Sequence, residues 1–216
     1  MRPRPYSERV VRRTRDVLPP LRDRVEPGVR VLFVGINPGV RSARTGHHFA
    51  GYSNRFWKLL RESGLVPEPI TCEDDDRLPE WGFGITNLIA RATPGIDTLR
   101  PGEHAAGERI LRRKVRRWKP AIVAFVGVSL YRFVFRRKGP IDPGLQADTF
   151  EGATVFVLPN PSGRNANFTY LEMLQAFKKL NRHQTARLDR FCTSDRGPDP
   201  VQVQSTNRVR AGRQQR

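Results

Sequence analysis

Apolar and polar positions along this chain alternate between two kinds of segment. Residues 29–35 (VRVLFVG) form an unbroken β-branched and aromatic run closed by glycine, the pattern of a strand buried on both faces. The same pattern recurs at 83–86, at 121–126 (AIVAFV) behind Pro120, and at 154–158 (TVFVL). Between these runs the spacing turns helical. Residues 54–63 put Phe56, Leu59 and Leu60 on one face, with Asn54 as cap and Gly64 as stop. Residues 107–118 are a strongly basic amphipathic stretch with Ile110, Leu111, Val115 and Trp118 on one side. Residues 129–135 and 169–181 complete the predicted helices. Uniformly apolar strands alternating with helices predict an α/β domain built on a mainly parallel, four-stranded sheet.

The pattern fades at both ends. Residues 1–28 read as a basic arm, with a helix predicted over 8–21 before Pro19 and Pro20 interrupt it. Residues 29–183 carry the domain. From 184 to 216 the chain is rich in Gln, Arg, Ser and Pro and reads as a disordered basic tail. An apolar content of 38% fits a core of about 150 residues between two such arms.

Charge narrows the function. The net charge is +18 and the pI about 11.3, a field that attracts polyanions. No apolar run is long enough to span a bilayer, and the basic start lacks an apolar signal core, so no membrane partner is expected. Cys72 and Cys192 lie far apart, and the four histidines form no ligand pattern with them. Neither a metal nor another cofactor is expected, and the location read from this is intracellular, cytoplasmic and nucleoid-associated in a bacterium. The Walker lysine motif and the Gly-x-Gly-x-x-Gly loop are both missing, which counts against a nucleotide-cradling module.

In open parallel sheets ligands gather outside the carboxyl ends of the strands. Two of the predicted strands end there in unusual loops, Gly35-Ile36-Asn37-Pro38-Gly39 and Asn160-Pro161-Ser162-Gly163-Arg164-Asn165. Each is also an ordinary set of turn formers; their coincidence at one sheet edge of a basic protein is what gives them weight.

The first loop, with Gly46-His47-His48-Phe49-Ala50 and Asn54-Arg55-Phe56-Trp57-Lys58, resembles the mismatch-specific uracil/thymine DNA glycosylase family. Asn160-Pro161-Ser162-Gly163 resembles that family's second motif and Gly84-Ile85-Thr86-Asn87 its intermediate segment, in the same order from about residue 28 to 181. Classical uracil glycosylases carry an aspartate at the first motif, and the single-strand-selective relatives a methionine before the asparagine. Ile36-Asn37 is similar to the mismatch-specific branch.

The resemblance implies a three-layer α/β/α sandwich and a monofunctional DNA glycosylase, a monomer acting on double-stranded DNA that holds a mispaired uracil or related lesion. Asn37 matches the residue that orients water at the sugar C1′, since an amide carbonyl aims water without being a useful base. Main-chain N–H groups around Ile36 and Gly39 would meet charge on the departing base. Phe49 matches the aromatic on which the flipped base stacks; a plain core phenylalanine is the alternative. Asn87 is either a contact to the base's polar edge or a helix cap. His48 matches a histidine of thymine-processing relatives or is a surface turn residue. Ser42 stands where those relatives carry alanine, near the base's 5-position. In the second loop Arg164 takes the wedge position or clamps a phosphate, with Asn160, Ser162, Gly163 and Asn165 near the DNA backbone. The alternative for the whole chain is a non-catalytic basic DNA-binding α/β module. The run Arg112-Arg113-Lys114 with Arg116-Arg117 is a second DNA-facing candidate or a solvated helix surface.

Overall fold

The computed structural model describes residues 18–93, 99–100 and 102–194, with side chains through 187. Of the predicted helix over 8–21, residues 8–17 lie outside the described residues and 18–21 are not helical; the expected tail from 195 onward also lies outside them. Five strands form one sheet: β1 Val31–Gly35, β2 Phe83–Asn87, β3 Ile122–Val126, β4 Gly144–Phe150 and β5 Ala153–Leu158, in the order β2-β1-β3-β5-β4. The first three and β5 are parallel, and β4 runs antiparallel to β5. The expected four-stranded sheet thus gains a fifth, edge strand. Its pattern explains why the sequence hides it: GLQADTF alternates exposed and half-buried positions between buried ends, as an edge strand open to water must.

Helices cover both faces, α1 Val40–Thr45, α2 Phe56–Glu62, α3 Glu103–Trp118, α4 Val128–Val134 and α5 Tyr170–Ser194. Because strand side chains alternate, β1 supplies Val31 and Phe33 to one layer and Leu32 and Val34 to the other. Phe33 meets Phe56 of α2, which in turn meets Phe177 of α5, in a layer shared with Leu60; Leu32 and Val34 share their layer with Leu111 and Val115 of α3 and Leu130 of α4. These are the three layers of an α/β/α sandwich. Leu111 and Val115 are fully buried, whereas Ile110, expected on the same stripe, is 41% exposed. Truncating a ring as enclosed as Phe33 to alanine costs about 3–5 kcal/mol.

Packing contacts reach beyond residues 29–183 at both ends. Leu21 is buried, and Arg24 exchanges backbone hydrogen bonds with Ile85 at 3.0 and 2.8 Å, so the last part of the arm lies against β2. At the other end α5 continues past Asn181 to Ser194, and Arg187 donates to the Thr154 hydroxyl at 2.9 Å. A side chain that reaches back to β5 supports helical turns with little apolar periodicity of their own.

Candidate active site

β1 and β2 run in register, with Gly35 opposite Asn87. The pairing persists beyond the strands: Leu88 N–H donates to Gly35 O, Ile89 to Ile36 and Thr93 to Pro38, at 2.8, 2.9 and 3.1 Å. The first loop is therefore held by the segment following β2. Asn37 is the half-buried centre of this arrangement. Its Nδ2 donates to the Thr93 hydroxyl at 2.8 Å and to the Pro38 carbonyl at 3.1 Å. A carbonyl only accepts, so the amide nitrogen must face Pro38. That fixes Oδ1 on the other side, where it has no hydrogen-bond partner among the described residues.

The backbone N–H groups of Asn37 and Gly39 also lack acceptors among the described residues. Ile36 is half-buried and packs against the layer of α3 and α4.

Asn87 lies over Gly35. A Cβ added to Gly35 would sit 2.6 Å from Asn87 Oδ1 and 3.5 Å from Phe49 Cζ, so glycine is required for these groups to converge. Asn87 Nδ2 approaches His48 Nδ1 at 3.4 Å, while His48 Nε2 lies 2.8 Å from the Arg22 carbonyl. Only a protonated Nε2 can bond that carbonyl, which makes Nδ1 the acceptor for Asn87 in the neutral ring. His48 is 1% exposed, not a surface turn residue, and its burial holds its pKa below the usual histidine value.

Phe49 has φ +52°, a conformation costing a non-glycine residue about 1–3 kcal/mol. Its neighbours over-determine it. His48 N–H donates to Asp75 Oδ2 at 2.8 Å, and His48 O accepts from Trp57 Nε1 at 3.0 Å. Ala50 N–H donates to Ser42 Oγ at 3.1 Å, and Ala50 O accepts from Arg41 Nε at 2.6 Å. The strain turns the half-buried Phe49 ring so that it stacks on Phe56 at 4.1 Å between centroids, with 21° between planes. Ser42 is buried and its hydroxyl serves this anchoring.

Asp75 is the buried hub beneath. It also accepts from Arg24 Nε at 2.9 Å and lies 3.2 Å from His47 Nδ1. Neither Asp75 nor Thr93 was among the candidates read from the sequence. The acidic run 73–76 was the visible signal for Asp75; the Thr93 contact spans 56 positions and has no local signature.

The second loop docks on the segment between α1 and α2. Arg55 N–H donates to Pro161 O at 3.0 Å, and a Cβ on Gly163 would lie 2.4 Å from Ser53 Cβ. Asn160 shapes the turn by accepting from Ser162 N–H at 3.0 Å, and Asn165 Nδ2 returns to Asn160 O at 2.8 Å. Arg164 projects from it, exposed, its guanidinium unpaired among the described residues. Two open hollows of about 610 and 560 Å³ flank β4 and share no lining residue with these loops.

By contrast, much of the basic helix is neutralised. Arg112 pairs with Glu108 and Glu151, Arg116 with Glu151, and Lys114 with Asp23. These partners favour the structural reading of that charge run.

A family model described as the uracil DNA glycosylase superfamily matches residues 23–183. The chain belongs to that superfamily. The match takes in both strand-end loops and begins within the segment that pairs with β2. Among solved structures, the chain is similar to a Methanosarcina acetivorans protein provisionally described as a uracil DNA glycosylase. The TM-score is 0.56 and the identity 17%, covering 78% of this chain and 98% of that one. At that identity the likeness concerns the fold alone. No helix among the described residues is long and apolar enough to cross a membrane.

Proposed function

We propose that this member of the uracil DNA glycosylase superfamily excises mispaired uracil from duplex DNA by hydrolysing its N-glycosidic bond, leaving an abasic site. The observation that carries the reading is the orientation of Asn37. Thr93 and Pro38 occupy its amide protons, and the unpaired Oδ1 is free to accept from a water. A water so held attacks C1′ as the sugar gains oxocarbenium character, and positioning lowers the entropic part of the barrier. With no carboxylate bonded to Asn37, proton removal is not accelerated and turnover is slow. The departing base takes the bonding electrons as an anion, which the unpaired N–H groups of the first loop stabilise.

Asn87 and Phe49 suit a pyrimidine. The second amide proton of Asn87 and its Oδ1 complement an acceptor and a donor side by side, as O4 and N3–H of uracil present. Phe49 offers its ring as the stacking surface, with Phe56 bracing it. Ser42 supports the wall of that pocket near the 5-position through Ala50. Arg164, with Ser162, Gly163 and Asn165, enters the duplex from the second loop and fills the gap left by the flipped base.

A wobble pair opens more readily than a Watson–Crick pair, and a methyl group adds only ~1–3 kcal/mol of discrimination. The expected order is uracil opposite guanine, then uracil opposite adenine, then thymine opposite guanine. The test uses end-labelled duplexes bearing each pair, incubated with the protein and treated with alkali. Scission at uracil in that order supports the reading; intact strands from every duplex would leave the chain a DNA-binding module.

A further inference from the structure

Tyr52 is 90% exposed, while Phe133, the next most exposed ring among the described residues, is 38% exposed. It stands at the tip of a turn closed by Asn54 N–H on Gly51 O at 2.8 Å. One face of its ring is covered. The Arg41 guanidinium carbon lies 3.8 Å from the ring centroid, and Arg41 is itself fixed by its Nε bond to Ala50 O at 2.6 Å. A ring held by a stacked cation on one face and open on the other is oriented before any ligand arrives.

The turn's position matters as much as its shape. Tyr52 follows Phe49 by three residues in the loop between α1 and α2, and its neighbour Ser53 is the side chain against which Gly163 of the second loop is packed. The exposed ring therefore stands at the seam between the loop bearing Phe49 and the loop bearing Arg164. Arg41 stacks on it and Arg55 follows it by three residues, in a chain with net charge +18, which favours a polyanion over an apolar protein partner.

From this geometry we propose that Tyr52 is a stacking platform for a DNA base next to the extruded nucleotide, on the same strand. The loop that receives the nucleotide faces the strand from which it came. When a base leaves the stack, its neighbour loses a partner, and the open face of Tyr52 replaces it. Stacking on a ring reads no base identity, so the contact contributes affinity for the distorted duplex, not sequence preference.

The inference rests on the proposed excision site for its location, but its test needs no catalysis. The probe is a duplex with a tetrahydrofuran abasic analogue opposite guanine and 2-aminopurine beside it on the same strand. Binding is read by anisotropy and stacking by 2-aminopurine fluorescence. Tyr52→Ala is expected to raise Kd about 5- to 150-fold, the range of one lost base–aromatic stack. It should also abolish a quench that the unmodified protein produces. Tyr52→Phe, which keeps the ring, should restore both. Because Tyr52 is exposed, the melting temperature of the variants should not move. A Kd within twofold of the unmodified protein's, or a fluorescence signal that the alanine variant leaves unchanged, would overturn the proposal. Loss of binding in Tyr52→Ala, with no excision by the unmodified chain from any duplex, would leave the platform standing and remove the proposed activity.

Discussion

The Thr93 hydroxyl accepts the Asn37 amide at 2.8 Å, and the Thr93 backbone N–H returns a hydrogen bond to Pro38 at 3.1 Å. One residue thus fixes both the loop and the direction of its central side chain. Thr93→Val keeps the shape and removes the hydroxyl. Single-turnover excision from a G·U duplex should fall about 5- to 10-fold, the worth of one orienting hydrogen bond. Thr93→Ser should restore it, and DNA affinity should stay within twofold for both. Equal losses in the serine and valine variants would assign Thr93 to packing.

The close approach of Asn87 to Gly35 makes a second prediction. In Gly35→Ala the new methyl would meet Asn87 Oδ1 at 2.6 Å, so Asn87 must move off the His48 ring. Excision should drop at least 10-fold, by the rule that a misplacement of about 1 Å costs on the order of 10²-fold. Thermal stability should fall by about 1–3 kcal/mol from overpacking. Unchanged excision would show that Asn87 does not touch the base.

Acid should act through His48. Burial holds its pKa below the usual value, so between its folded pKa and about 6.5 the unfolded chain binds more protons than the folded one. Stability therefore falls as pH drops through that window and levels off below the folded pKa. Protonation also turns Nδ1 into a donor facing the Asn87 amide nitrogen 3.4 Å away, so excision should decline in parallel. Thermal melts and single-turnover rates between pH 7.5 and about 5 check this, with His48→Gln as the control that removes the titration. A wild-type melting profile identical to that of His48→Gln would remove His48 from the account.

The end of α5 separates two truncations. Removing 195–216 takes five arginines and no described contact. The fold and the single-turnover rate at saturating enzyme should persist, while each lost phosphate contact lowers the salt slope of duplex binding by about 0.9. Cutting at 184 also removes the Arg187 bond to Thr154 and the buried Gln184, and should cost about 1–3 kcal/mol in a denaturant melt. Equal melting midpoints for both truncated chains would show that residues 184–194 add nothing to the fold.

The sequence made legible whatever depends on local pattern. β1, β3 and β5 are apolar runs because both their faces are buried, and Leu111 and Val115 fall at helical spacing because α3 lies across the sheet. β4 escaped detection because an antiparallel edge strand needs no continuous apolar run. α1 escaped as six residues without a side-chain cap, and the 3-10 segment Cys72–Trp81 because its acidic residues resemble a loop. Within the site, Asn37, Phe49 and Asn87 were visible from motif, and the fold brings Phe49 and Asn87 together around Gly35. Thr93, Asp75 and the Arg41–Tyr52 pair were not visible. Their roles exist only once segments distant in sequence, or a strained turn, bring the groups into contact.

The role of Asn37 is the claim on which the rest depends. Its direct test is single-turnover excision of uracil opposite guanine by the unmodified protein and by Asn37→Ala, with Kd for the same duplex measured alongside. Removing the oriented carbonyl should slow excision by on the order of 10²-fold or more while Kd changes less than threefold. Excision by Asn37→Ala at close to the unmodified rate would contradict the account.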